Sequence, residues 1–446
     1  MPFRPSNDRF LLAPGPRKQQ GSSFQLSGFP ALRDCRWQVA ERMANLQAMS
    51  LHRERLFNLA QYLSPSMLYV AGMGLRRRAA RGVDGVTPRK YLRHLASNIT
   101  KLIQEVKHKS YQPKPSRQVL FDKDDGSPRP ISLPTIRDKH LQRAVMMILE
   151  AIYEPHFYTH SYGFRPHRSG RMAVKVLMDW LSQHNGGWIL EIDLSKFFDT
   201  IPHDQLLEVI SQRIGDKVIL HLILSWLKAG ILVDGQVRTS DIGAPQGGVI
   251  SPLCANVYMD MALDQWFVRE LQPKLKGESL LVRYADDFVL AFNDQDDMES
   301  VEKAIKPRLE HYGLTVNTEK SRTVDLRAPE GDIPNLLDTH IDFLGFTYYW
   351  KPCPYSGWKL AVKTSGKSIK RFTNRLVAMV NDNGDIASDE LEVAIQSMVK
   401  GHKGYFDVEG NEDMLDHIEQ IAFSYLDLHH GSFNVEMNEA TTLGCI

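Results

Sequence analysis

In the stretch LLVRYADDFVLAF, from Leu280 to Phe292, two adjacent acids, Asp286 and Asp287, stand between two apolar runs. Such runs read as buried strand, where a lone carboxylate is strongly disfavoured by the loss of its hydration, so the pair belongs at a bend. A third acid has a related setting: in EIDLSKFFDT, Asp193 directly follows the apolar run WILEI and stands at a strand end. Taken singly these are weak signals, since two acids in a turn are ordinary turn residues. Taken together, a tight strand–turn–strand would project at least one of the pair beside Asp193. Three neighbouring carboxylates repel one another unless cations hold them, and hard oxygen ligands suit Mg²⁺ with substrate phosphates completing its shell. Two such ions, roughly 3.5–4 Å apart, activate an attacking oxygen and stabilise a leaving one in phosphoryl transfer.

The chain has 446 residues, 43% of them hydrophobic, enough to bury a large core in two or three globular parts. Cys35, Cys254, Cys353 and Cys445 are scattered and form no CxxC pair, which indicates neither a disulfide framework nor a structural zinc site and fits a reducing, cytoplasmic setting. MPFRPSNDRFLLAPGPRKQQ lacks the apolar core of a signal peptide, and no window of about 18 apolar residues occurs, so no membrane insertion is expected. The net charge of +1 is unevenly placed. From Leu376 onward two bases, Lys400 and Lys403, face fourteen acids, which leaves about +13 on residues 1–375. A positive body can neutralise phosphates, whereas an acidic tail repels a duplex lying along it or is simply a solvated helical face.

Periodicity gives the coarse organisation. Residues 1–30 are rich in Pro, Gly, Ser and Gln, with PGPRKQQGSS as a flexible arm, and residues 31–80 carry helical spacing. RRRAARGVDGVTP reads as a turn. YLRHLASNITKLIQEVKHK aligns Leu92, Leu95, Ile99, Leu102, Ile103 and Val106 along a helix. RQVLF, DKDDGSP and PISL read as a hairpin, KHLQRAVMMILEAIYEPHF as an amphipathic helix, and the segments around Asp193 and Asp286 as the clearest strands. The C-terminal region reads as helical, broken at NDNGD.

In their order along the chain, YADD with Asp193 in DLSKFFD, GAPQGGVISPLCAN, GLTVNTEKSR and FLGF resemble the motif series of reverse transcriptases. GVDGVTP, YQPKPSRQV, RPISLPTIRDKHLQ and SYGFRPHRS are similar to finger segments of the group II intron lineage, so the likeness covers roughly residues 80–350. It implies an α+β right-hand polymerase with helical and hairpin fingers, an antiparallel palm sheet and a helical thumb. The corresponding domains are an N-terminal extension over 1–78, fingers and palm over 79–360, and an acidic, thumb-like domain over 361–446. The implied reaction is RNA-templated DNA synthesis, in which a primer 3′-OH attacks the α-phosphate of a dNTP under two Mg²⁺ ions, Mn²⁺ being the alternative ion. An RNA template, a DNA or RNA primer and dNTPs are the implied partners.

The resemblance also assigns residues. Asp193 and Asp286 would hold both metals, with Asp287 the weaker participant. Phe198 corresponds to the steric gate that excludes a 2′-hydroxyl, although FF pairs are normally core. Lys123 and Arg129 fall where fingers fold onto the triphosphate, and a guanidinium forks well onto phosphate oxygens; without the family they are a solvated hairpin tip. Gln246 matches the residue beside the incoming nucleotide, and Gly247 and Gly248 permit close backbone approach, or form only a turn. Lys320 matches a candidate general acid for departing pyrophosphate, or is an exposed helix-end lysine. Phe343, Leu344 and Gly345 of FLGF correspond to the primer grip; unaided they read as a buried strand with a bulge. Tyr162, Phe164 and Arg165 of SYGFRP would order the template path by stacking on unpaired bases.

LEVAIQSMVKGHKGYFDV is similar to the thumb segment of intron-encoded proteins, with a Gly-x-x-x-Tyr-Phe turn at Gly401 to Phe406. Thumbs of that family are basic, and this one is acidic. With no basic DNA-binding or endonuclease segment expected after residue 446, a free-standing, host-adopted enzyme in bacterial antiviral defence or a CRISPR setting, using a specific non-coding RNA, is favoured. An intron-encoded maturase is the alternative, and a catalytically silent scaffold is opposed by the intact acids, Phe198 and Lys320. The acidic tail would meet a protein partner or another subunit.

Overall fold

The computed structural model describes residues 31–122, 128–329, 339–354, 357–382 and 388–429. The arm PGPRKQQGSS, the hairpin tip 123–127, most of NDNGD, Cys445 and the acidic stretch after residue 429 lie outside the described residues. The fold is α+β. Its strands are β1 (Ser116–Asp122), β2 (Pro128–Leu133), β3 (Trp188–Ile192), β4 (Ile231–Val233), β5 (Gln236–Arg238), β6 (Ser279–Tyr284), β7 (Asp287–Phe292), β8 (Arg322–Asp325), β9 (His340–Phe343), β10 (Phe346–Cys353) and β11 (Gly357–Thr364). They form three sheets, ordered β2-β1-β4-β5, β6-β7-β3-β8 and β11-β10-β9. Among the described residues no helix is long and apolar enough to cross a membrane.

The chain folds as two compact units, each discontinuous in sequence: Met1–Ser169, Ile192–Phe288 and Gln295–Arg322 form the first, and Gly170–Glu191, Val289–Asp294 and Thr323–Ile446 the second. In the first, β1 and β2 pair antiparallel with Phe121 opposite Arg129, the hairpin expected from RQVLF and PISL. Helix Ile136–Tyr153 starts where Thr135 Oγ1 accepts from the Asp138 N–H and donates to the Asp138 carboxylate, a reciprocal cap. The sequence suggests an amphipathic helix here, but fourteen of its eighteen residues are buried. Its polar residues are buried because each has a partner: His140 Nε2 donates to the Leu68 carbonyl at 2.6 Å, and Lys139 Nζ donates to the Ala80 carbonyl at 2.9 Å. Each fully buried Leu, Ile or Val here contributes about 1.5–3 kcal/mol.

The second unit packs the antiparallel strands β9, β10 and β11 with helices Gly366–Asp382, Ser388–Phe406 and Glu412–His429. Leu376, Ile395, Ile418 and Ala422 form its driest core. Asn411 joins sheet to helix: its Oδ1 accepts from the Thr364 N–H at 2.7 Å and its Nδ2 donates to the Phe406 carbonyl at 2.8 Å.

Candidate active site

The two acids of RYADDF stand at a two-residue turn, Ala285–Asp286, between β6 and β7. Ala285 takes φ 62°, the sign that type II′ turns require at their first central position and that glycine adopts most easily. Gly163 lies against this residue so tightly that a Cβ would come 2.3 Å from the Ala285 nitrogen.

Asp193 follows β3 directly, and GLTVNTEKSR holds it. The Asn317 N–H donates to the Asp193 carbonyl at 2.8 Å, Asn317 Nδ2 donates to Asp193 Oδ2 at 3.0 Å, and the Asp193 N–H donates to Ser321 Oγ at 3.1 Å. An antiparallel bridge between Leu194 and Val316 aligns the two segments. Asn317 and Ser321 therefore fix both the backbone and the carboxylate of Asp193, a role that reading the motif for its lysine misses. Lys320 itself is exposed, its N–H donating to the Asn317 carbonyl within the same turn.

The three carboxylates share one electrostatic environment. Asp287 keeps access to solvent at the turn, yet protein crowds its carboxyl, and this desolvation, ahead of the charges of Asp286 and Asp193, raises it to about 7. Desolvation also raises Asp286, and the charge of Asp193 adds to it while Arg129 and Arg283 oppose. A divalent cation relieves this repulsion, so the donor set fits one chemically. Among the described residues no three acidic, His or Cys side chains stand close enough to cage a metal by themselves. An ion here would take the rest of its shell from water and substrate oxygens, as Mg²⁺ commonly does.

The residues that the resemblance assigns to the nucleotide lie in the same unit. Arg129 Nε donates to Gln246 Oε1 at 3.2 Å, and Gln246 Nε2 donates to Asp199 Oδ1 at 3.3 Å. Gly247 has φ 110°, and a Cβ there would lie 2.4 Å from the Ser132 carbonyl oxygen, so the glycine is required by close packing of this turn on β2. Phe197 and Phe198 divide their tasks: Phe197 is 2% exposed and belongs to the core, whereas Phe198 is half-buried, its ring 5.2 Å from that of Phe197. Lys123 lies outside the described residues.

SYGFRP needs correction. The Arg165 guanidinium is buried and spent on the scaffold: Nε donates to Glu154 Oε2 at 3.1 Å, and Nη1 donates to the Tyr158 and Ser161 carbonyls, each at 2.8 Å. Tyr162 is 2% exposed, its N–H donating to the Arg283 carbonyl at 2.8 Å. Neither offers a plane to an unpaired base; the segment pairs with β6 and supports the acid-bearing turn. Phe164, at φ 57°, keeps partial exposure.

In the second unit, FLGF is a tight hairpin and not a bulged strand. Phe343 pairs with Phe346, leaving Leu344 at φ 54° and Gly345 at φ 83° as a two-residue turn. Tyr405 Oη donates to the Leu344 carbonyl at 3.0 Å, and the Ser365 N–H donates to the Gly345 carbonyl at 2.9 Å. The Phe406 ring lies 4.9 Å from that of Phe346, so the Gly-x-x-x-Tyr-Phe motif, helical here, packs on FLGF.

The chain matches the family described as reverse transcriptase (RNA-dependent DNA polymerase) over residues 113–348. It is 32% identical to protein YkfC of Escherichia coli strain K12 over 330 residues, 67% of this chain and 84% of that protein. It is 38% identical to the group II intron-encoded protein LtrA of Lactococcus lactis subsp. cremoris over 220 residues, 49% of this chain but 36% of LtrA. An uncharacterized 91 kDa protein in the cob intron of Schizosaccharomyces pombe is 36% identical over 185 residues, 42% of this chain and 22% of that protein.

Proposed function

The chain belongs to the reverse transcriptase (RNA-dependent DNA polymerase) family, in its group II intron-like lineage, and from that premise we propose that it copies RNA into DNA by two-metal nucleotidyl transfer at Asp193, Asp286 and Asp287. The observation that carries this reading is the placement of the three carboxylates, Asp193 at the end of β3 and Asp286 and Asp287 where β6 turns into β7, the neighbour of β3 in one sheet. Divalent ions, Mg²⁺ first, would be held by Asp193 and Asp286 with Asp287 assisting, and would supply charge neutralisation at phosphate and activation of the primer 3′-oxygen. The chain's own residues do the rest. Asn317 orients the Asp193 carboxylate, and the exposed side of Phe198 excludes a 2′-hydroxyl. Arg129 and Gln246 meet the triphosphate and base pair, and Lys320 supplies a proton to the departing pyrophosphate. Fingers, palm and thumb are the proposed division, with the Leu344–Gly345 turn bearing on the primer and the last helices acting as thumb.

Its role is read as that of a free-standing cytoplasmic enzyme with a dedicated non-coding RNA, of the antiviral-defence kind. The support is charge: two bases against fourteen acids from Leu376 onward do not suit a grip on a large structured RNA, but do suit a protein partner. Similarity to LtrA, by name a group II intron-encoded protein, keeps a maturase as the second reading. Sequencing the nucleic acids that co-purify with wild type and with Asp286→Ala/Asp287→Ala separates the two. One abundant RNA with complementary DNA that vanishes in the variant supports a dedicated enzyme; the same RNA in both, with DNA in neither, supports the maturase.

A further inference from the structure

Arg283 interrupts the apolar strand β6 and is the largest fully buried side chain among the described residues. Arg283 and Asp264 are both 0% exposed, the guanidinium Nε donating to Asp264 Oδ1 at 2.8 Å and Nη2 donating to Asp264 Oδ2. Nη1 donates to Asn256 Oδ1 at 3.0 Å and to the Ala285 carbonyl at 2.9 Å. Asn256, 1% exposed, donates from Nδ2 to the Gly163 carbonyl at 2.7 Å, and Gly163 is the residue pressed against the Ala285 nitrogen. Ala285 is thus held on its carbonyl side by the guanidinium and on its amide side by Gly163, at a φ that alanine resists. A buried ion pair is a poor source of stability, since desolvating both charges offsets their attraction and an apolar pair would pack as well. An apolar pair has no donor for the Ala285 carbonyl.

We propose that Arg283 is a positioning residue for the metal-binding acids: Asp264 and Asn256 fix the guanidinium, and the guanidinium fixes the Ala285–Asp286 turn in the form that presents Asp286 and Asp287 to a cation. This rests on the two-metal reading. The test is RNA-templated primer extension by the full chain, titrated with Mg²⁺, for wild type, Arg283→Lys, Arg283→Lys/Ala285→Gly and Asp286→Ala. Lysine keeps the charge but cannot fork. Folded Arg283→Lys is expected to bind primer–template as wild type does, to need about tenfold more Mg²⁺ and to lose about tenfold in kcat, the scale of a residue behind a metal ligand. Its KM for dNTP should stay within about threefold. Glycine accepts φ 62° freely, so the double variant should recover at least about threefold of that kcat. Should Arg283→Lys not fold, Asn256→Ala, which leaves the ion pair intact, carries the test with a smaller shift in the same direction. Wild-type Mg²⁺ requirement and kcat in a folded variant, or a loss no larger than its unfolded fraction, overturns the proposal. If Asp286→Ala extends primers normally, the two-metal reading falls and this inference with it; if Asp286→Ala is dead while Arg283→Lys is normal, only the inference falls.

Discussion

The two units each carry a family motif on a two-residue hairpin turn, and the turns are built in opposite ways. Leu344–Gly345 has positive φ at both positions, 54° on the leucine and 83° on the glycine, the sign pattern of a type I′ turn, and is held by the Tyr405 hydroxyl and the Ser365 amide. Ala285–Asp286 puts φ 62° on an alanine and is held by a buried guanidinium. The difference follows from what each turn displays. A turn that offers backbone and apolar surface can satisfy its carbonyls with neutral donors. A turn that offers two adjacent carboxylates concentrates negative charge, and the guanidinium behind it, its own charge paired with Asp264, holds the turn's backbone through the Ala285 carbonyl.

The largest expected effect sharpens this contrast. Asp286→Asn keeps the shape of the Ala285–Asp286 turn and removes a charge, so under the proposed function synthesis should fall about 10³-fold or more, corresponding to several kcal/mol of transition-state stabilisation. Leu344→Ala at the other turn should cost about tenfold or less in the same primer-extension assay, and equal losses would break the comparison.

Acid pH should test what the units have in common. Burial lowers His140 to about 4 in the first unit, Arg143 adding to it against the Leu68 carbonyl; burial lowers His402 to about 4 in the second, where its ring stacks on Phe406. A histidine with a depressed folded pKa is neutral in the fold and takes up a proton on unfolding. Its stabilisation is complete above pH 6.5 and is lost as pH falls toward 4, about 3 kcal/mol for His140 and less for the partly exposed His402. Denaturant unfolding at pH 7.5 and pH 5 measures this, and His140→Gln should flatten the profile.

Swapping the turn chemistries should give smaller, opposite changes. At Gly345, with φ 83°, a Cβ would lie 2.8 Å from Ser368 Oγ, so Gly345→Ala should destabilise by about 1–3 kcal/mol. Ala285→Gly removes the strain at φ 62° and should shift thermal stability by less than about 1 kcal/mol. Smallest is Tyr405→Phe, which deletes one partly exposed hydrogen bond to Leu344 and should cost about 0.5–1 kcal/mol.

The same contrast explains what was legible in the sequence. Continuous apolar runs locate β3, β6 and β7, and the rule that carboxylates avoid dry strands places Asp286 at a bend, because hydrophobic patterning and charge desolvation act locally. Helix Ile136–Tyr153 is more buried than its pattern predicts because Lys139 and His140 count as polar in a pattern, while carbonyls from distant segments satisfy them in the fold. Arg165 differs from this expectation for another reason: its partners, Glu154, Tyr158 and Ser161, lie in its own stretch of chain, and only the fold turns them inward onto the guanidinium. An arginine inside LLVRY needs a buried partner, and the fold supplies Asp264.

The account rests most heavily on the three carboxylates acting together in templated synthesis. Single-turnover incorporation of one dNTP on an RNA template, by wild type and by Asp193→Asn with Mg²⁺ present, tests that directly, with primer–template binding measured alongside. Mg²⁺-dependent incorporation by wild type, lost in the variant while primer–template binding persists, is the predicted result. A folded Asp193→Asn that incorporates at the wild-type rate would contradict it.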